Sequence, residues 1–126
     1  MFKTSYISAF LLLILCCGCN SKIMIYKDVL NSSEHWIVEQ QPKGISTFTN
    51  NTLEVIDAKG CTIWFKNKLN GNIKIQYDIT IIDKGGLYDR VSDMNCFWMA
   101  NDPKNSDDFF EDSKNRAGHF PNYHHL

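Results

Sequence analysis

The chain has almost no net charge: 13 Lys and Arg stand against 14 Asp and Glu, a formal balance of −1. No basic field is therefore available to attract nucleic acid or an anionic lipid surface. No apolar run reaches the ~20 residues that a membrane-spanning helix needs. There is no Gly-rich phosphate loop and, outside the first residues, no CxxC pair. Ser92 lacks the flanking glycines of a nucleophile elbow. These absences remove nucleotide-phosphate binding, dithiol redox chemistry and hydrolase-type serine chemistry from consideration. Internal repeats and low-complexity tracts are also missing.

What is present begins with a leader. Lys3 forms a short positive region, Tyr6 to Cys17 is an uncharged apolar stretch, and Gly18 stands directly before Cys19. That order is the pattern of a secretory signal. A cysteine at the cleavage point predicts a bacterial lipoprotein, with residues 1–19 as a signal helix ending at a lipidated Cys19. Cys16 occupies the position three before the cysteine, where such signals usually carry Leu; the alternative is a plain membrane anchor. The expected location is the cell envelope, either outer membrane or periplasm, with the membrane reached through the lipid. Residues 20–126 then suffice for one small domain. Only Cys61 and Cys96 fall within it. A disulfide between them is open to a secreted protein, but both lie in apolar runs, and the preferred reading is two buried thiols.

The middle of the chain predicts an all-β fold. Thr52 to Asp57 alternates, Ala58-Lys59-Gly60 reads as a tight turn, and Cys61 to Lys66 as the return strand. Asn70-Gly71 is a hairpin signal. Ile73 to Ile82 has the clearest period of two: Ile73, Ile75, Tyr77, Ile79 and Ile81 face one side, with Lys74, Gln76, Asp78 and Thr80 on the other. Met94 to Ala100 is apolar on both faces apart from Asn95 and predicts a central strand. Asn101 to Asp108 is a polar loop, and Arg116 to Leu126 has no regular period. Four strands joined by short turns make one open sheet without a second layer. The expectation is thus an incomplete, mostly antiparallel β-sandwich, the front part of a larger one; a truncated, non-functional gene product is an alternative.

Asp89, Arg90, Asp93 and Asn95 cluster just before or within an expected buried strand. Buried polar groups need partners. One reading is a structural network, an Asp89–Arg90 or Asp93–Arg116 pair pinning a loop to the sheet. A second is sugar binding by Asp93, Asn95 and Arg90, with Trp64 as a stacking ring. A third is glycoside cleavage by Asp89 and Asp93 as acid and base. Trp98 is expected in the core and Trp36 over an open edge. His119, His124 and His125 match no metal-ligand spacing. Asp102, Asp107 and Asp108 read as a solvated acidic loop rather than a calcium site. No metal or cofactor is expected.

The stretch Gly85-Gly86, Asp89 to Ala100, Asp102-Pro103 and Arg116 to Phe120, with Ile63 to Lys66 and Ile75 to Asp78 upstream, resembles a family of domains of unknown function. Its members occur in secreted or lipid-anchored proteins of polysaccharide-degrading Gram-negative bacteria. The resemblance spans roughly Lys27 to Leu126. It implies a concanavalin A-like jelly roll that continues beyond this chain, and a polysaccharide or oligosaccharide partner. The functional expectation is a carbohydrate-associated protein that binds or processes polysaccharide. The alternative is a glycoside hydrolase or polysaccharide lyase domain.

Overall fold

The computed structural model describes residues 25–57, 59–124 and 126. The leader and Cys19, and with them the lipidation site, lie outside the described residues. The described chain is all-β: antiparallel strand pairs with one four-residue helix and one 3-10 turn.

Four strands form first, β1 (Trp36–Gln40), β2 (Ile45–Thr49), β3 (Thr52–Ile56) and β4 (Cys61–Phe65). β2 pairs with β3 and β1 with β4, both antiparallel. The two pairings share one register: carrying Ile45↔Ile56 back across the interruption arrives at Gln40↔Cys61. Residues 36–65 are therefore one long bent hairpin. Its tip is Asn50-Asn51, both in the left-handed region (φ 52° and 60°). Two such residues between paired strands match the strand twist, and Asn tolerates this backbone better than most residues. The Asn51 N–H is tied at 2.8 Å to the Asn31 side-chain oxygen.

The expected turn at 58–60 is corrected by this pairing. β3 and β4 are not neighbours; Asp57, Lys59 and Gly60, with Gln41 to Gly44, form the bend in the hairpin. The Gln41 N–H donates to the Gly60 carbonyl at 3.2 Å, and Asp57 Oδ1 accepts from the Gly60 N–H at 2.7 Å. Glycine at 60 thus serves a bend rather than a hairpin tip.

Two other expected strands are also corrected. Ile73 to Ile82 and Met94 to Ala100 carry no strand ladder. Alternation decides which side chains share a face, but a strand exists only when its backbone groups find partners. Among the described residues, the backbone of 73–82 finds none. Ile73, Ile75, Tyr77, Ile79 and Ile81 are each about half exposed, and Trp98, expected in the core, is 72 % exposed. Met99 has a φ of 62°, which interrupts any regular strand there.

The last part folds back on the hairpin. Asp102 organises its start, accepting from the Lys104 N–H and the Asn105 amide, both at 2.9 Å. Helix α1 (Ser113–Arg116) ends in Ala117 and Gly118, both with positive φ, before a 3-10 turn at Phe120–Tyr123. Positive φ at a helix end lets the chain reverse. Here it brings Gly118 against the bend. A Cβ at 118 would sit 2.5 Å from the Gly60 carbonyl oxygen and 2.7 Å from that of Glu39. Only glycine permits this approach.

No apolar residue is fully buried among the described residues. Two aromatic clusters cover the hairpin instead. Tyr26 and Trp36 lean on Phe65 at 5.2 and 5.1 Å between ring centroids. Phe109 and Tyr123 flank Trp64 at 4.9 and 6.2 Å. The most enclosed side chains are charged: Arg116 (2 % exposed), Glu39 (3 %) and Asp102 (5 %).

Candidate functional site

The polar cluster divides into parts with different tasks. Gly85, at φ 84°, turns the chain after residue 84. Asp89 closes that turn, its Oδ2 accepting the N–H groups of Lys84 at 2.9 Å and Gly86 at 3.0 Å. These two backbone hydrogen bonds, helped by the Lys84 charge, hold the Asp89 carboxyl below the usual carboxylate range.

Arg90 leaves the turn and grips the hairpin bend. Its Nη2 donates to Asp57 Oδ2 at 2.8 Å and its Nη1 to the Asp57 carbonyl at 2.7 Å. The pair is part-exposed, so its value is positional more than energetic. It fixes where the following residues leave the fold.

Those residues are Asp93, Asn95 and Phe97. The Asn95 amide donates to Asp93 Oδ2 at 3.2 Å, so both side chains share a side, as alternation requires. Both are exposed, and Phe97 is 69 % exposed. Asp93 has no ion pair among the described residues. Two residues of extended chain span roughly 7 Å. A carboxylate, an amide and an aromatic ring thus follow one another along the chain, all reachable from solvent.

The chain continues from here into a cleft of about 250 Å³, lined by Lys66, Lys68, Asn101, Asn105, Asp107 and Phe110 among others. Cations, amides, carboxylates and an aromatic edge face one space. Trp64 is not part of this surface. Its ring is held between Phe109 and Tyr123, and its Nε1 is buried without a hydrogen-bond partner.

Neither expected acid–arginine pair forms: Arg90 takes Asp57 in place of Asp89, and Arg116 is remote from Asp93 in its bonding. Arg116 donates to Glu39 Oε1 at 2.8 Å, to Asp102 Oδ2 at 3.2 Å and to the Phe109 carbonyl at 2.9 Å. Its guanidinium lies 4.5 Å from the centre of the Phe109 ring. Tyr123 adds its hydroxyl to Glu39 Oε2 at 2.7 Å and accepts the Gly118 N–H at 2.9 Å. Burial, with the Glu39 carboxylate beside it, pushes the Tyr123 hydroxyl up to about 12. This network fastens residues 102–123 to β1. Glu39 was absent from the sequence-based candidates; its one signal is an acid inside the otherwise strand-like Trp36–Gln40.

Cys61 and Cys96 are both free thiols. Cys61 is half-buried, but Cys96 is exposed, against the expectation of two buried thiols. Among the described residues no group of three or more His, Cys, Asp or Glu could hold a metal ion. His124 stacks edge-on to Phe120 at 5.0 Å, and His125 lies outside the described residues. No described helix is long and apolar enough to cross a membrane.

A family model described as a domain of unknown function, DUF6250, matches residues 55–126. The match begins inside β3 and takes in the Asp89–Phe97 run, the cleft, and Asp102, Arg116 and Tyr123 of the buried network, but not Glu39. No curated protein and no solved structure matches the chain.

Proposed function

We propose that this chain, which belongs to the DUF6250 family, is a carbohydrate-binding β-domain of the bacterial cell envelope. In this reading it follows a concanavalin A-like jelly-roll plan and is tethered through a lipid on Cys19. The observation that carries the proposal is the Asp93–Asn95–Phe97 strip. A carboxylate accepts hydrogen bonds from sugar hydroxyls, an amide both donates and accepts, and an exposed ring packs against the apolar face of a pyranose. The Asp93–Asn95 bond at 3.2 Å sets the two polar groups beforehand, which lowers the cost of ordering them on binding. The cleft that follows, with Lys66 and Lys68 at its edge, gives an oligosaccharide a second place to rest.

Binding is favoured over cleavage. A general acid must hold its proton at working pH. The Asp89 carboxyl is held low and is occupied by the Lys84 and Gly86 N–H groups. Asp89 is thus unsuited to the acid role, and its turn-closing hydrogen bonds tie the carboxylate to the backbone rather than to a substrate.

The test is a glycan array followed by calorimetry on the strongest hit. Asn95→Ala and Phe97→Ala should each weaken binding by about tenfold or more, in line with ~1–3 kcal/mol for a lost polar or stacking contact. Their thermal transition should stay in place, since both side chains are exposed. Failure of the wild-type chain to bind any glycan would end this reading. The tether is tested separately: a fatty-acid analogue should label the wild type and not Cys19→Ala.

A further inference from the structure

The segment Ile73–Ile82 joins two observations that belong together. Its apolar residues alternate with polar ones and stay half exposed. Its backbone N–H and C=O groups have no hydrogen-bond partner among the described residues. A run of unpaired backbone groups beside an apolar stripe is a template for another strand.

We infer that the partner is the same segment of a second copy, paired antiparallel about a two-fold axis through Gln76. Three constraints select this register. A symmetric pairing must map the segment onto itself. Residues directly opposite one another lie on the same face, so apolar must meet apolar, and the axis must pass through a residue rather than between two. Among the registers that remain, an axis at Gln76 places Lys74 opposite Asp78 of the second copy, twice by symmetry. The same register sets Ile75 against Tyr77 and Ile73 against Ile79. An axis at Tyr77 would set Lys74 against Thr80 and Asp78 against Gln76, leaving both charges unmatched. An axis at Ile75 would face Lys74 with Gln76. Gly71, at φ 84°, ends the paired stretch on one side. Tyr77 of this segment touches Cys96, so the surface borders the Asp93–Phe97 strip; association is read here in the absence of any glycan, apart from what that strip binds.

The experiment is sedimentation velocity of the full chain over a range of concentrations, with a charge-swap series. The wild type should show a reversible monomer–dimer equilibrium. Lys74→Asp and Asp78→Lys each place like charges opposite at two symmetric positions. Each should raise the dimer dissociation constant about tenfold. The double variant K74D/D78K restores opposite charges and should return the dissociation constant to the wild-type range. Far-UV circular dichroism spectra of the single variants that match the wild type show that they fold. A wild type that stays monomeric, or associates to the same degree in all four forms, would overturn the inference. So would a double variant as weak as the singles.

Discussion

Arg116 and Glu39 stand 77 positions apart in the chain and meet through Nη2 and Oε1 at 2.8 Å, while Arg116 Nε contacts both carboxylate oxygens at 3.2 Å. Both are almost fully enclosed, in a chain whose described residues include no fully buried apolar side chain. Removing one partner leaves the other charge buried and alone. Arg116→Ala should therefore lower stability by about 3 kcal/mol, the low end for a broken buried pair because the cover is thin. Urea titration followed by far-UV circular dichroism measures it. Arg116→Lys should recover only part of the loss, since an ammonium lacks the planar fork that serves Glu39, Asp102 and the Phe109 carbonyl together. A full recovery by Lys would show that charge alone is needed.

Gly118 and Gly71 both have positive φ but differ in what surrounds them. Nothing lies within 4 Å of a Cβ at 71, whereas a Cβ at 118 meets the backbone of Gly60, Glu39 and Cys61. Gly71→Ala should cost about 1–2 kcal/mol, the conformational penalty alone. Gly118→Ala adds a backbone clash and should cost roughly 2–4 kcal/mol. Equal losses in parallel denaturation curves would mean that the Gly60–Gly118 approach contributes nothing.

Tyr123 makes the fold sensitive to alkali. Its hydroxyl, ordinarily near 10, is pushed up to about 12 by burial and by the Glu39 carboxylate. Between those values the unfolded chain has lost the proton and the folded one keeps it, so unfolding gains. Stability from this group is complete below pH ~10 and falls as the pH rises toward 12. Denaturation at a series of alkaline pH values checks it, and Tyr123→Phe should flatten that part of the profile.

The two domain cysteines should react at different rates. Burial and the Asp57 charge push the Cys61 thiol up to about 11, while Cys96 is exposed. Only the thiolate is a nucleophile. A maleimide at neutral pH, read by peptide mapping after a short exposure, should modify Cys96 well before Cys61. Similar rates for the two would mean that the Cys61 strand opens readily.

β3 and β4 were legible almost to the residue, because Thr52 to Ile56 alternates and Cys61 to Phe65 is rich in strand-forming side chains. Their partners were not. β1 holds Glu39, which a local reading places in solvent, and only Arg116 from the far end of the chain makes its burial tolerable. The hairpin tip was missed because Asn50-Asn51 lacks the glycine that announces such turns, whereas Gly60 announced one where the chain only bends. At the candidate site, the shared side of Asp93 and Asn95 followed from alternation. The arginine partners did not, since an ion pair depends on which distant segments come together. Ile73 to Ile82 shows the converse: its pattern was plain, but a ladder requires a second strand.

The two-asparagine tip has a consequence for the order of events as the chain forms. Hairpins close in roughly 1–10 μs when their contacts are local. The strand pairing of residues 36–65 across the Asn50-Asn51 tip is local, so it can zip together ahead of the contacts that residues 102–123 bring. Glu39 then waits, hydrated, at the surface of a half-made protein. Its carboxylate is withdrawn from water only when the last segment swings back and brings Arg116. In that order the carboxylate leaves water together with its counterion.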